Sequence, residues 1–304
     1  MAVGSPQSLD IDVQPKSGNV RQMATPYLFL LPFLIVFTVF LVGPILYAAF
    51  VSLSSWQGGA LAFRGFFQYQ KLFADTEFWH SLLNVVVILV IQVPVMLILA
   101  AIFASLLNSK RLKFRAFFQL GFFVPILIDI VAYSLVFSFL LEKHGIINSI
   151  LGVFGFPAIN WLLHPIAAKV AIMIALTWHW TGYNVVILLG GMQGIPSEVY
   201  EAARVDGAGS IRQWWSITLP LLVPILVFES VLSTIGTLQL FVEPYILTSG
   251  GPDNATLTPV LYLYQVAFQQ FHFGYASAVA FILAILIAIL SFIQFRVARG
   301  GAAA

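Results

Sequence analysis

The chain has 304 residues, 60% of them hydrophobic and 9% charged, with a mean hydropathy of +0.97. A soluble domain carries roughly a quarter charged residues, so a soluble enzyme, a disulfide scaffold and a disordered tail protein are all excluded. There is no cysteine, hence no disulfide, thiolate metal site or cysteine nucleophile, and a net charge of +2 is too small to point to nucleic acid.

The first 25 residues, with Gly4, Pro6, Pro15 and Gly18, are expected to form a disordered cytoplasmic tail. They lack the basic start and apolar stretch of a cleavable signal. Residues 26–299 read as one membrane domain, and 300–304 as a short C-terminal tail. A spanning helix needs roughly 20 mostly apolar residues, and the charge-free intervals supply six. The first is Pro26–Phe50, between Arg21 and Arg64, and the second is Leu82–Leu107. The third is Phe117–Leu141, interrupted by Asp129, and the fourth is Val170–Met192. The fifth, Leu219–Leu247, carries Glu229 and Glu243, and the sixth is Tyr275–Phe295. Lipid offers backbone groups no partners, so these runs must be helices, and they are too long and uniformly apolar for barrel strands. The expected fold is an all-α polytopic membrane protein with six transmembrane helices.

Basic residues near span ends set orientation. Lys110, Arg111, Lys113 and Arg115 make the loop after the second span cytoplasmic. Together with Lys16, Arg21, Arg204, Arg212, Arg296 and Arg299 they place ten basic residues inside, against Arg64, Lys71, Lys143 and Lys169 outside. The topology is therefore N-in and C-in. Three outer loops (Trp56–Trp79, Glu142–Pro165 and Thr248–Phe273) are rich in aromatics, and the last has helical potential over Leu261–Phe271. Its Asn254-Ala255-Thr256 fits a glycosylation acceptor, a match short enough to arise by chance.

Residues 193–218 form a polar cytoplasmic segment. Ile195-Pro196-Ser197 is a start signal for a helix from Glu198 to Asp206, which Gly207 stops. Ser210 caps a second short helix, Ile211–Ile217, ended by Pro220. On the first helix Val199, Ala202, Ala203 and Asp206 share one face, and the two alanines leave it low enough for another surface to approach closely. Periodicity alone fits an ordinary solvated loop helix as well.

The residues themselves go further. Glu201-Ala202-Ala203, three residues, Gly207, nine residues, Ile217, one residue and Leu219-Pro220 resemble the EAA loop of permease subunits of bacterial ATP-binding cassette importers. The string Ile195–Ala208, with Leu247–Asp253 and Phe273–Ala278, is similar to the carbohydrate-uptake branch, which contains maltose and glycerol-phosphate permeases. The resemblance runs from about Pro26 to Arg299. It implies a coupling helix docked into a cytoplasmic ATPase subunit, with Glu201 as polar anchor, Ala202 and Ala203 as the close-packed surface and Gly207 as the turn. Glu198, Arg204 and Asp206 supply further contacts. It also implies a second permease subunit, generally an unlike chain, two ATPase subunits that bind ATP and Mg, an extracytoplasmic substrate-binding protein, and the bacterial inner membrane. The chain has no Gly-x-x-x-x-Gly-Lys-Ser/Thr loop, so no cofactor is expected in it and it is not expected to be an enzyme.

Ionisable and polar groups inside spans are costly and mark cavities or partner helices. Glu229, Ser233 and Thr237 recur at i, i+4 and i+8 in the fifth span. Thr177, Trp178, His179, Trp180, Tyr183 and Asn184 gather in the fourth. Aromatic faces with hydroxyls and amides suit a sugar. The resemblance places Ser233 and Thr237 on two ligand positions of the maltose-type permease, whereas Asp129 and Trp178–Tyr183 depart from the maltose pattern. The expected substrate path is therefore Asp129, Trp178, Tyr183, Asn184, Ser233 and Thr237. Ser and Thr also bond to their own helix backbone or serve helix packing, and Glu229 and Glu243 fit equally as buried partners of the second permease. His179 lacks a second ligand at metal spacing. Two rivals stand beside this reading. One is an ion-coupled transporter using Asp129, Glu229 and Glu243, and the other is an integral-membrane enzyme, which would want clustered carboxylates.

Overall fold

A computed structural model of the chain describes residues 20–57, 60–109 and 112–301. They are predominantly helical, as expected. The N-terminal unit, which ends at Phe50, is formed by α1 (Val20–Phe37), a π-helical segment Thr38–Val42 and the greater part of α2 (Gly43–Ser52). The wide turn has a local cause. Pro44 has no N–H for the Phe40 carbonyl and its ring would clash there, and the i→i+5 bond from Gly43 N–H to the Thr38 carbonyl steps past the conflict. The stretch Phe29–Ser52 is long and apolar enough to cross a membrane. Most of the expected 1–25 tail falls outside the described residues, and α1 begins at Val20.

The second unit starts with an element that the sequence reading missed, an antiparallel hairpin of β1 (Ser54–Gln57) and β2 (Ala60–Phe63) with Ser54 opposite Phe63. It leads into α3 (Phe67–Phe73), whose Gln68 donates its amide to the Ser54 carbonyl at 3.0 Å. The second expected span is α4 (Thr76–Asn108), one helix that continues through Pro94.

The third expected span is not one straight helix. It consists of α5 (Arg115–Leu127) and α6 (Ile130–Leu140), bent by 98°. Asp129 causes the restart, because its carboxylate accepts from the Val131 and Ala132 amides as an N-cap. After α7 (Ile146–Val153), α8 (Pro165–Gln193) covers the fourth expected span. Next come α9 (Ser197–Val205) and α10 (Ser210–Gln213). Pro196, not Ser197, occupies the N-cap position of α9.

Nor does Pro220 end the second short helix. A π-segment Trp214–Thr218 precedes α11 (Leu219–Leu238), and the run Ser210–Leu238 is a single span-length helix. The Leu219 N–H bonds the Trp214 carbonyl, the same accommodation as before Pro44. α11 stops at Leu238 and the expected fifth span resumes as α12 (Val242–Thr248). α13 (Pro259–Tyr264) with a π-segment Gln265–Gln269 matches the helical potential of the last loop, and α14 (Phe273–Gly301) covers the sixth expected span. By length and composition five helices qualify as spans, or six with the bent pair counted as one.

The packing of this unit is inverted relative to a soluble protein. Its outer surface carries exposed Phe117, Leu135, Phe139, Phe228 and Ile285, while Gln92, His179, Asn184, Glu229, Thr237 and Glu243 are buried. An apolar solvent rewards that arrangement. Ala100, Ala101 and Ala104 of α4 let it approach Val185, Leu188 and Leu189 of α8 closely. Gly182 of α8 lies against the Phe122 backbone of α5, where a Cβ would overlap the carbonyl.

One end of the unit is fastened by Asp75. Its Oδ1 caps α4 by accepting from the Glu77 amide at 2.9 Å and the Phe78 amide at 3.4 Å, while its Oδ2 accepts from the Tyr262 and Tyr275 hydroxyls. Asn254 donates to Glu77 at 2.9 Å, so this asparagine is engaged in packing. Burial opposes the charge on Asp75, but the two phenols and two amides outweigh it and hold the carboxyl below its usual range. Because the folded-state value is depressed, the stabilisation is complete above the unfolded value of 3.8 and is lost as pH falls further, through the folded value. Asp75→Ala is expected to cost about 1–3 kcal/mol at neutral pH. Thermal unfolding of the purified protein in detergent measures this, and the deficit should shrink below pH 3.8. Equal stability of the two proteins at pH 7 would contradict it.

Candidate functional site

A cavity of about 220 Å³ opens between α4, α6, α8, α11 and the α11–α12 break. α8 contributes Trp180, Tyr183 and Asn184, which its helical period places on one face. α11 contributes Ser233, Gly236 and Thr237, and α4 contributes Gln92 and Met96. The interruption at Gln239–Phe241 brings the Phe241 ring and Glu243 to the wall.

Four of the six expected path residues, Tyr183, Asn184, Ser233 and Thr237, thus line one cavity. Trp178 does not. Two residues before Trp180, it points to another side of α8, into a separate hollow with Phe103, Phe122 and Thr181, and packs on Phe137 at 5.4 Å. Asp129 is exposed and spends its carboxylate on the α6 cap.

The polar groups here divide into two kinds. Thr177 and Thr181 bond their own helix, to the Met173 carbonyl at 2.7 Å and the Thr177 carbonyl at 2.5 Å, which is the ordinary behaviour of intrahelical threonine. The Asn184 amide donates to the Trp180 carbonyl at 2.9 Å. The Ser233 and Thr237 hydroxyls bond no protein group among the described residues, which leaves them for a ligand. Glu243 is buried and accepts from the Tyr133 hydroxyl, and the Tyr133 ring stacks on His179 at 4.2 Å. Glu229 is 1% exposed with both oxygens unpartnered among the described residues and lies outside the cavity wall. The three acidic residues of the ion-coupled rival therefore do not converge, and no cluster of three metal-ligating groups occurs among the described residues.

Sequence reading missed Gln92, Gly236, Phe241 and Tyr133. Gln92 left a signal, a lone amide in a long apolar run. The Tyr133–Glu243 bond joins residues 110 apart and leaves no local pattern.

The second feature is the elbow at residues 193–218. α9 buries none of its residues. Val199, Ala202 and Asp206 are exposed and Ala203 is partly so, which leaves their common face uncovered within this chain. Gly207 has φ +77°, the left-handed stop that glycine adopts without strain. The Asp206, Gly207 and Ala208 amides bond back to Ala202, Arg204 and Ala203. Glu201 and Arg204 form an exposed pair at 3.7 Å, and Glu198 lies in the first turn. Two contacts tie the elbow to the cavity helices. The Tyr200 and Thr218 hydroxyls bond at 3.0 Å where α11 begins, and the Trp214 indole donates to Ser105 of α4 at 2.7 Å.

Residues 77–300 match the family described as binding-protein-dependent transport system inner membrane component. The chain belongs to this family. Every residue lining the cavity and the whole elbow lie within the matched stretch. The permease is 40% identical over 279 residues to the lactose transport system permease protein LacF of Rhizobium radiobacter, covering 90% of this chain and 93% of the relative. It is 34% identical over 288 residues to the trehalose/maltose transport system permease protein MalF of Thermococcus litoralis, covering 92% and 95%. Its fold matches a chain of the solved bacterial alginate ABC transporter in complex with an alginate pentasaccharide-bound periplasmic protein. The TM-score is 0.81 at 22% identity, over 93% of the permease and 96% of that chain.

Proposed function

We propose that the permease is one of two membrane subunits of an ATP-driven importer of a carbohydrate, in the bacterial inner membrane with both termini inside. It performs no chemistry on its cargo. A second permease subunit, an unlike chain, completes the translocation path within the lipid. An extracytoplasmic binding protein delivers the sugar, and two ATPase subunits carry ATP and Mg. The cavity opens alternately to either side, and no nucleic acid takes part.

The observation that carries this reading is the connection between elbow and cavity. α4 and α11 both line the cavity, and both are held at one end by elbow residues, through Trp214 to Ser105 and through Tyr200 to Thr218. Displacing α9 as a rigid body therefore moves two cavity walls together. The Trp214–Ser105 bond brings the elbow to the C-terminal end of α4, which precedes the basic residues Lys113 and Arg115, in keeping with a cytoplasmic placement. The cavity supports the sugar assignment: Trp180, Tyr183 and Phe241 offer ring faces, and Ser233, Thr237 and Gln92 offer hydrogen-bonding groups. The names of the relatives point the same way.

Co-purification tests this. An ATPase subunit should accompany the permease out of the membrane, and a neutral sugar presented by its binding protein should raise ATP hydrolysis several-fold. Recovery without any ATPase, or hydrolysis indifferent to every sugar, would overturn the assignment.

A further inference from the structure

Glu243 is the one carboxylate among the residues lining the cavity, and none of them is Lys, Arg or His. The sole ion pair among the described residues joins Arg204 to Glu201, so no described cation is salt-bridged to Glu243. Tyr133 donates its hydroxyl to Glu243 Oε1, and the phenol is itself held by stacking on His179 at 4.2 Å. Glu243 is thus anchored by Tyr133 and is itself one of the residues lining the cavity.

A carboxylate has about four lone-pair sites for donors; Tyr133 occupies one and the backbone amide of Glu243 another. Ligand hydroxyls can use those that remain. An acidic ligand group brings more acceptors and a like charge. Two carboxylates brought into one site repel each other and cannot both stay ionised. The alginate system, whose fold this chain shares, handles an acidic polysaccharide, but this chain contributes no cationic side chain to the cavity wall.

We infer that Glu243, held in place by Tyr133, is a specificity-determining residue that reads ligand hydroxyls and excludes acidic sugars, restricting the cavity to saccharides without a carboxylate or sulfonate. This deepens the carbohydrate-importer reading and rests on it.

The test is direct binding to the purified importer, with its second permease and ATPase subunits but without the binding protein, so that cavity preference is not masked by the receptor. The probes are neutral mono- and disaccharides, including lactose and maltose, each paired with its acid form (lactobionate, maltobionate and the corresponding uronates). The native importer should bind a neutral sugar at least tenfold more tightly than its acid partner. Glu243→Gln should shrink that ratio at least fivefold, and Glu243→Asp, which keeps the charge, should largely preserve it. Membrane level and co-purification with the ATPase establish that each variant has assembled. An unchanged ratio in Glu243→Gln, or equal binding of acid and neutral forms by the native importer, overturns the role of Glu243 while leaving the carbohydrate reading in place. Absence of binding by every saccharide to an intact assembly overturns both.

Discussion

In cells carrying Glu201→Lys, uptake of the transported sugar is expected to fall by at least a hundredfold, with the permease still present in the membrane at its normal level. The two halves of that expectation have separate causes. Glu201 and Arg204 are exposed and 3.7 Å apart, and such a surface pair contributes roughly 0–1 kcal/mol to folding, so losing it does not unfold the protein. At a protein interface, removing a buried hydrogen-bonded charge costs about 2–5 kcal/mol of binding. Reversing the sign adds repulsion, so the loss falls on docking. Gly207 gives a companion test. A Cβ there meets no atom within 4 Å, so crowding is not at issue. The backbone is, because φ of +77° costs a residue with a side chain about 1–2 kcal/mol. Gly207→Val should therefore impair uptake far more than Gly207→Asn, since asparagine tolerates left-handed backbone. Uptake assays normalised to membrane level decide both. Equal uptake by the native protein and Glu201→Lys would mean that α9 is only a solvated loop.

Gly236→Trp is expected to reduce uptake to a few per cent of normal through a different route. Gly236 lies on the cavity face of α11 between Ser233 and Thr237, and a Cβ placed there meets nothing within 4 Å. An indole therefore extends into the cavity of about 220 Å³ without displacing packed neighbours. Gly236→Ala is the size control. Its methyl group leaves the cavity nearly as large and raises helix propensity by about 0.5–1 kcal/mol, so its uptake loss should be much smaller. Co-purification with the ATPase confirms assembly of both. Comparable uptake by the Trp and Ala variants would show that the sugar does not pass beside α11.

The helices were legible because charges are sparse within long apolar runs, three of them at Asp129, Glu229 and Glu243, and lipid leaves such runs no other structure. The elbow was legible for a local reason as well. An amphipathic helix followed by Gly207 has one economical backbone solution, and φ of +77° is that solution. The cavity was half legible. Recurrence at i and i+4 in α11 located Ser233 and Thr237, but residue type alone could not separate Trp178 from Trp180, which differ by a rotation of roughly 200° about the helix. The bend in the third span had a signal that hydropathy outweighed, an Asp able to cap a new helix in the middle of an apolar run. Pro220 does not terminate a helix, as its missing N–H suggests, because the π-turn before it absorbs the conflict, as another does before Pro44. The bond between Tyr133 and Glu243 depends on the meeting of α6 and α12, which no local pattern encodes.

Coupling of ATP hydrolysis to uptake depends above all on α9 being seated against a nucleotide-hydrolysing partner. Because the chain has no cysteine, Ala202→Cys introduces one thiol into this subunit, on the exposed face of the elbow. In the assembled importer, with single cysteines placed across the candidate cleft of the ATPase, that thiol should form a disulfide under mild oxidation and resist a water-soluble maleimide. A thiol that stays freely reactive in the intact assembly and never cross-links to the ATPase would contradict the account.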